Sequence, residues 1–234
     1  TRLGGWLLTN TDADAFRTPA TYYPDNDIET VFNEYESKAI GIPNYVVDPD
    51  TEDREHQLRR HMGELFKRDP TAQGGHTSTD PETFYEQCLE MAMIRIARVR
   101  RSIRGKRYEL VFGYTSGLDL IGHVSYDRPV IQQHAYEEID QFVGEIVTDL
   151  RDSDELLLVS DHGLQNGLHT DEAMVASTTK ELINGVSSVT DIRQAVETEL
   201  RAKNHIPDAP WAETDSSDAT SEHIAEQLED LGYM

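Results

Sequence analysis

Asp119 and His123 stand four residues apart in GLDLIGH. Asp161 and His162 are adjacent in LLLVSDHGLQNGLHTD, and His169 follows His162 by seven positions. One helical turn places residues i and i+4 on the same face, so the first pair can converge on one point. Carboxylate and imidazole donors suit zinc or manganese. Three imidazoles and two carboxylates are enough to begin two cation sites, and two ions about 4 Å apart can clamp the attacking and leaving oxygens of a phosphoryl transfer. A lone Asp-x-x-x-His or a lone Asp-His is weak evidence; both at strand ends, in this order and followed by a third His, are more specific. Two imidazoles and one carboxylate could instead hold mononuclear iron, which leaves Asp161 and His162 unexplained. The plainest alternative is a strand running out into a polar loop, with Asp119 a helix cap and the histidines in solvent.

The elements that must position these residues alternate between strand and helix. DNDIETVFNEYE reads as a short helix, SKAIGIP as a buried strand, and DTEDREHQLRRHMGELFKR as an amphipathic helix. TAQGGHTSTDP reads as a loop leading to a long helix from Pro81 to Arg104, capped by Thr79 or Asp80. Phe84, Cys88, Met91, Ile94 and Ile96 supply its apolar positions. RYELVFGYTS is a strand, RPVIQQHAYEEIDQFVGEIVTDLRD a helix, and LLLVS a buried parallel strand whose end aims Asp161 and His162 outward. Gly163 is expected to let the chain turn sharply. AMVAS reads as a further strand and VTDIRQAVETELRA as a helix. This order implies an α/β protein with a mainly parallel sheet sandwiched by helices. In such sheets ligands bind beyond the carboxyl ends of strands. Residues 1–204 form the expected domain; residues 205–234 read as an acidic linker and a short helix, SEHIAEQLEDLGYM.

Composition narrows the partners. The 234-residue chain carries 44 acidic against 21 basic residues, a net charge of −23. That balance argues against nucleic acid, which needs clustered Lys and Arg. The one basic cluster, from Arg95 to Arg107, is expected to balance local acid. No run is apolar and long enough to span a bilayer. The single Cys88 excludes an internal disulfide and points to a reducing, cytoplasmic setting. An acid-rich, Lys-poor surface suggests adaptation to high salt, where like-charge repulsion is screened. Thermal melts across a salt series should then show the melting temperature rising with added salt; a flat or falling series would remove the idea.

GLDLIGH and LLLVSDHG resemble the metal-binding motifs of the alkaline phosphatase superfamily. The type I phosphodiesterase/nucleotide pyrophosphatase group is the nearest branch, with cofactor-independent phosphoglycerate mutases further off. The spacer AYEEIDQFVGEIVTDL, the unit IETVFNEYESKAIGIPNY and the terminal QLEDLGYM are similar to segments of that group, so the resemblance covers most of the chain. It implies an alkaline phosphatase-like fold with two divalent metal ions, zinc or manganese. Asp119 and His123 would bind one ion, completed by His169, and Asp161 and His162 would bind the second. The family's remaining Asp and its Thr or Ser nucleophile are expected before Thr1, because TRLGGWL is similar to the segment just after the nucleophile. The chain is thus expected to be an amino-terminally truncated part of the enzyme, weakly active or inactive alone while still binding an ion.

The implied activity is hydrolysis of a small-molecule phosphate ester, in particular a diester. A sulfatase, a mutase or a phospho-transferase of the same superfamily is the alternative, as is a non-catalytic metal- or partner-binding protein. Tyr114, Thr115 and Ser116 are expected to pack rather than react, and His76 to lie on a linker. His56 and His61 are expected in solvent and His134 in a structural role. His205, His223 and Trp6 are expected to take no part in chemistry.

Overall fold

The computed structural model describes residues 18–19, 27–41, 45–46 and 54–203. In chain order its strands are β1 (Thr18–Pro19), β2 (Ser37–Ile40), β3 (Tyr45–Val46), β4 (Phe66–Arg68), β5 (His76–Ser78), β6 (Leu110–Gly113), β7 (Leu157–Val159), β8 (Gly163–Gln165), β9 (Leu168–Thr170) and β10 (Val175–Ser177). Its helices are α1 (Arg54–Leu65), α2 (Pro81–Arg104), α3 (Gly117–Val124), α4 (Pro129–Asp149) and α5 (Ile192–Lys203), the last entered through a 3-10 turn at Val189–Asp191. Trp6, His205, His223, the acidic linker and the carboxyl-terminal helix lie outside the described residues, as does the side chain of His56.

Helix α2 organises the core. Asp80 starts it: the carboxylate accepts a hydrogen bond from the Thr83 amide at 3.1 Å, and Pro81 occupies the first turn, where no amide is needed. Phe84, Cys88 and Met91 face inward as expected and join Leu58 and Met62 of α1, Ile121 of α3 and Ala135 of α4. Cys88 is fully buried, and burial pushes its thiol up to about 12, so it behaves as a small apolar side chain. Further along, Val99 packs with Ile40 of β2 and Ile146 of α4. This second cluster fixes the strand layer against the helices.

The strands are shorter, more numerous and more mixed in direction than the sequence suggests. They form five two-stranded ladders, two parallel and three antiparallel, among the described residues. Strand β2 pairs parallel with β6 from Ser37↔Leu110 to Ile40↔Gly113, as a crossover through α1 and α2 requires. Strand β7 pairs antiparallel with β10, not parallel, because the short stretch between them doubles back. It is half-buried rather than buried: Val159 is 44 % exposed. The expected loop before α2 contains β5, which pairs with β4 where the preceding helix ends at Leu65.

Where DNDIETVFNEYE is described, over residues 27–36, it does not form a helix but runs through turns, bends and irregular chain. Asn33 Oδ1 takes the Thr30 amide at 2.7 Å and the Thr30 hydroxyl at 2.6 Å. Short polar side chains that capture nearby backbone groups compete with helix formation, and here they win.

Within the basic cluster, Arg95, Arg98, Arg100 and Arg104 meet acid. Arg95 and Arg98 bind the Glu55 carboxylate at 2.7 and 2.8 Å, Arg100 binds Asp149 at 2.6 Å and also contacts Glu145, and Arg104 lies near Asp149. No helix among the described residues is long and apolar enough to cross a membrane.

Candidate metal centre

Strand β6 delivers the chain to α3, the short helix carrying Asp119 in its first turn and His123 in its last. Gly117, Ile121 and Gly122 bury the opposite side of α3, which turns both ligand candidates toward the same opening. Asp119 Oδ1 lies 3.3 Å from His123 Nε2. Thr115 and Tyr114 shape the approach: Thr115 Oγ1 accepts from the Gly117 amide at 3.2 Å, and the Tyr114 amide donates to Ile40 at 2.9 Å.

His169 reaches the same point by a hairpin. QNGL places Asn166 and Gly167 at φ +53° and +76°, the paired positive values of a two-residue turn that matches strand twist. Strands β8 and β9 then pair Leu164 with His169. His169 Nε2 sits 3.1 Å from Asp119 Oδ1 and 2.9 Å from His123 Nε2. The same turn supports its neighbour. His123 Nδ1–H donates to the Gly167 carbonyl at 2.7 Å, which leaves the Nε2 lone pair facing the centre.

Asp161 and His162 lie beside this trio. His162 stacks on His169 with ring centroids 3.7 Å apart, and its Nε2 is 3.9 Å from Asp119 Oδ1 and 3.6 Å from Asp161 Oδ1. Its Nδ1–H donates to the Gly163 carbonyl at 3.0 Å. The Asp161 side chain is 78 % exposed. All five residues singled out by spacing therefore gather in one place, although Asp161 stands at its edge. Gly163 contributes differently from expectation. It is absent from the glycines with positive φ; instead, a Cβ there would lie 2.8 Å from the Glu172 carbonyl, so it permits close approach of backbone.

The charges are coupled. Burial would raise the Asp119 carboxyl, but the hydrogen bond and charge of His123, with His169 and His162 nearby, hold it below the usual range. In turn Asp119 holds the His123 imidazole above its ordinary value, against the opposing effect of burial.

The donor set fits a divalent cation. Ligand atoms of Asp119, His123 and His169 all lie within 4.8 Å of one another. Four atoms bound tetrahedrally to zinc at about 2.0–2.1 Å are about 3.3 Å apart. The edges here are 2.9, 3.1 and 3.3 Å, so one ion can touch all three with small adjustments.

His76 was expected on a linker, yet it backs the centre. Its ring meets that of His123 edge-on at 5.1 Å and stacks on Phe66 at 4.6 Å, and burial lowers its basicity. The signal was the pair of glycines before it: Gly74 packs against the His123 carbonyl and against Gly167, where a side chain would not fit. His61 is exposed and contacts Gln87, and His134 is exposed on α4.

Asp-x-x-x-His on helix α3 thus stands beside Asp-His at the end of β7. The family model for type I phosphodiesterase / nucleotide pyrophosphatase matches residues 8–228, and the chain belongs to that family. No curated protein and no solved structure matches the chain.

Proposed function

We propose that the protein hydrolyses phosphodiesters at a centre built for two divalent cations, zinc or manganese. The convergence of Asp119, His123 and His169 carries this reading. These three hold the first ion; Asp161 and His162 begin the site of the second. A bound ion supplies Lewis acidity toward a phosphoryl oxygen. The chain's own residues do the positioning: the Gly167 carbonyl fixes the His123 tautomer, and the Gly163 carbonyl does the same for His162. The family match supports phosphate-ester hydrolysis as the reaction class.

The test is hydrolysis of bis(4-nitrophenyl) phosphate by the complete protein with zinc or manganese. Activity should require the ion and vanish with a chelator. Turnover that is indifferent to metal would defeat the proposal.

The same geometry sets a pH dependence. A ligand nitrogen must be free of its proton, and His123 keeps its proton to higher pH than a free imidazole. Metal affinity should therefore fall as pH drops through the raised His123 value, with proton release on binding above zero in that window. Titration calorimetry in buffers of different ionisation enthalpy measures the release. For the metal-free protein the stability signs run oppositely. The raised His123 contributes fully below about 6.5, its unfolded value, and loses this as pH rises through its folded value. The lowered Asp119 contributes above about 3.9 and loses this as pH falls through its folded value.

A further inference from the structure

Tyr114 joins the end of β6 to the start of α3, the helix that carries Asp119 and His123. Both backbone polar groups of Tyr114 are tied down. Its amide donates to the Ile40 carbonyl at the end of β2, at 2.9 Å. Its carbonyl accepts from Arg95 Nη1 of α2, also at 2.9 Å. The Arg95 side chain is 5 % exposed, and its Nε and Nη2 donate to one oxygen of Glu55 at 3.1 and 2.7 Å. The planar guanidinium is thus held along one edge by a carboxylate and presents its remaining nitrogen to a backbone carbonyl.

The surrounding chain closes round this contact. Gly41 follows β2 at φ +73°, and a Cβ there would lie 2.6 Å from the Tyr114 carbonyl oxygen and 2.8 Å from Arg95 Nε. The Arg95 guanidinium carbon also stands 5.8 Å from the centre of the Tyr114 ring. Beyond Tyr114 the chain enters α3 directly: the Ser116 carbonyl accepts from the Leu120 amide at 3.0 Å, and Asp119 lies in the first turn. Burying a guanidinium is costly, and an apolar pair of similar size can support a fold as well as a buried ion pair. What an apolar pair cannot supply is the bond to Tyr114.

We propose that Arg95 is a positioning residue for the metal centre: through the Tyr114 carbonyl it sets the angle at which α3 presents Asp119 and His123 to the cation. The inference rests on the metal-centre reading above. Asp119 and His123 share a helix, so their 3.3 Å separation survives a rotation of α3. Their separations from His169, 3.1 and 2.9 Å, do not, because His169 arrives on β9. Loosening the start of α3 therefore pulls two ligands away from the third. Removing a group that orients ligands without touching the ion costs about 10–100-fold in metal affinity. Arg95 acts through backbone, which places it at the lower end of that range.

Variants of the complete protein separate positioning from stability. Glu55→Met/Arg95→Met replaces the ion pair with apolar side chains and removes the bond to Tyr114. Glu55→Gln deletes the negative charge, yet its amide oxygen still accepts from Arg95, so that bond survives. Gly41→Ala pushes a methyl group against Arg95 and the Tyr114 carbonyl while leaving the ion pair's residues in place. For each, manganese affinity and the electron paramagnetic resonance spectrum of the bound ion are measured beside urea unfolding of the metal-free protein. The double variant and Gly41→Ala should bind manganese about tenfold more weakly, with an altered spectrum. Glu55→Gln should be less stable and still bind as the unchanged protein does, with the same spectrum. A folded double variant with unchanged affinity and spectrum overturns the positioning role; if that variant does not fold, the same result for Gly41→Ala overturns it. Affinity that simply follows stability, with Glu55→Gln losing as much as the others, also overturns it and leaves the metal reading intact. Absence of manganese binding by the unchanged protein removes the metal reading, and the positioning role with it.

Discussion

Asp119→Asn is expected to lower divalent-metal affinity by more than about 100-fold, beyond the loss typical of disturbing a residue that only supports a ligand. Asp119 Oδ1 is the hub of the centre, lying 3.3, 3.1 and 3.9 Å from the Nε2 atoms of His123, His169 and His162. Asn keeps the shape and removes the negative charge that draws the cation and raises His123. Manganese titration followed by electron paramagnetic resonance reads the affinity directly. Asp161→Asn, at an edge position 78 % exposed, should leave binding of the first ion nearly intact. Equal losses for the two variants would show that Asp119 is not the hub, and an unchanged affinity in Asp119→Asn would remove the site.

The second large effect concerns folding. Glu55→Ala should cost about 3–5 kcal/mol, the range for breaking a buried ion pair by deleting one partner. Glu55 and Arg95 side chains are each 5 % exposed and 2.7 Å apart, and Arg59 and Arg98 depend on the same carboxylate. Removal leaves the Arg95 charge buried without its counter-ion. Urea unfolding of the metal-free protein measures the cost, and a loss below about 1 kcal/mol would show the cluster to be a surface-like pair. The double variant Glu55→Met/Arg95→Met should recover much of the stability, since apolar side chains can replace a buried pair without leaving a stranded charge. The pH sign agrees. Burial opposes the Glu55 charge, but Arg95 and Arg59 hold its carboxyl below the usual range. Its contribution is present above about 4.3 and is lost as pH falls through the depressed value.

Local chemistry made parts of this structure legible in the sequence. Asp80 followed by Pro81 marks a helix start that needs no tertiary help, and α2 begins there. Asp119 and His123 are one helical turn apart, so their convergence is a property of spacing, and the adjacency of Asp161 and His162 is fixed by the chain itself. Partnership across long separations was not legible. Nothing in the alternation of β7 tells whether its neighbour runs parallel or antiparallel, because side-chain period is the same in both. Glu55 and Arg95 lie 40 positions apart, and only the packing of α1 on α2 joins them. Thr30 and Asn33 sit inside an apolar pattern of helical period, yet their side chains redirect the backbone. The Asn-Gly pair at 166–167 was not read as a hairpin tip, although it carries that signal, and it explains how His169 returns to the helix.

That hairpin tip makes chain length, more than residue identity, the sensitive variable near the centre. Side chains along a strand alternate between two faces, so a one-residue slip reverses every one beyond it. With Leu164 opposite His169, an insertion of one residue between Gln165 and Leu168 would present Leu168 or Thr170 where the imidazole now stands. The ligand would be lost without being mutated. Natural or engineered variation at this tip is thus confined to substitutions that keep two residues with positive φ, while insertions of any size are better tolerated in the connections that carry no ligand.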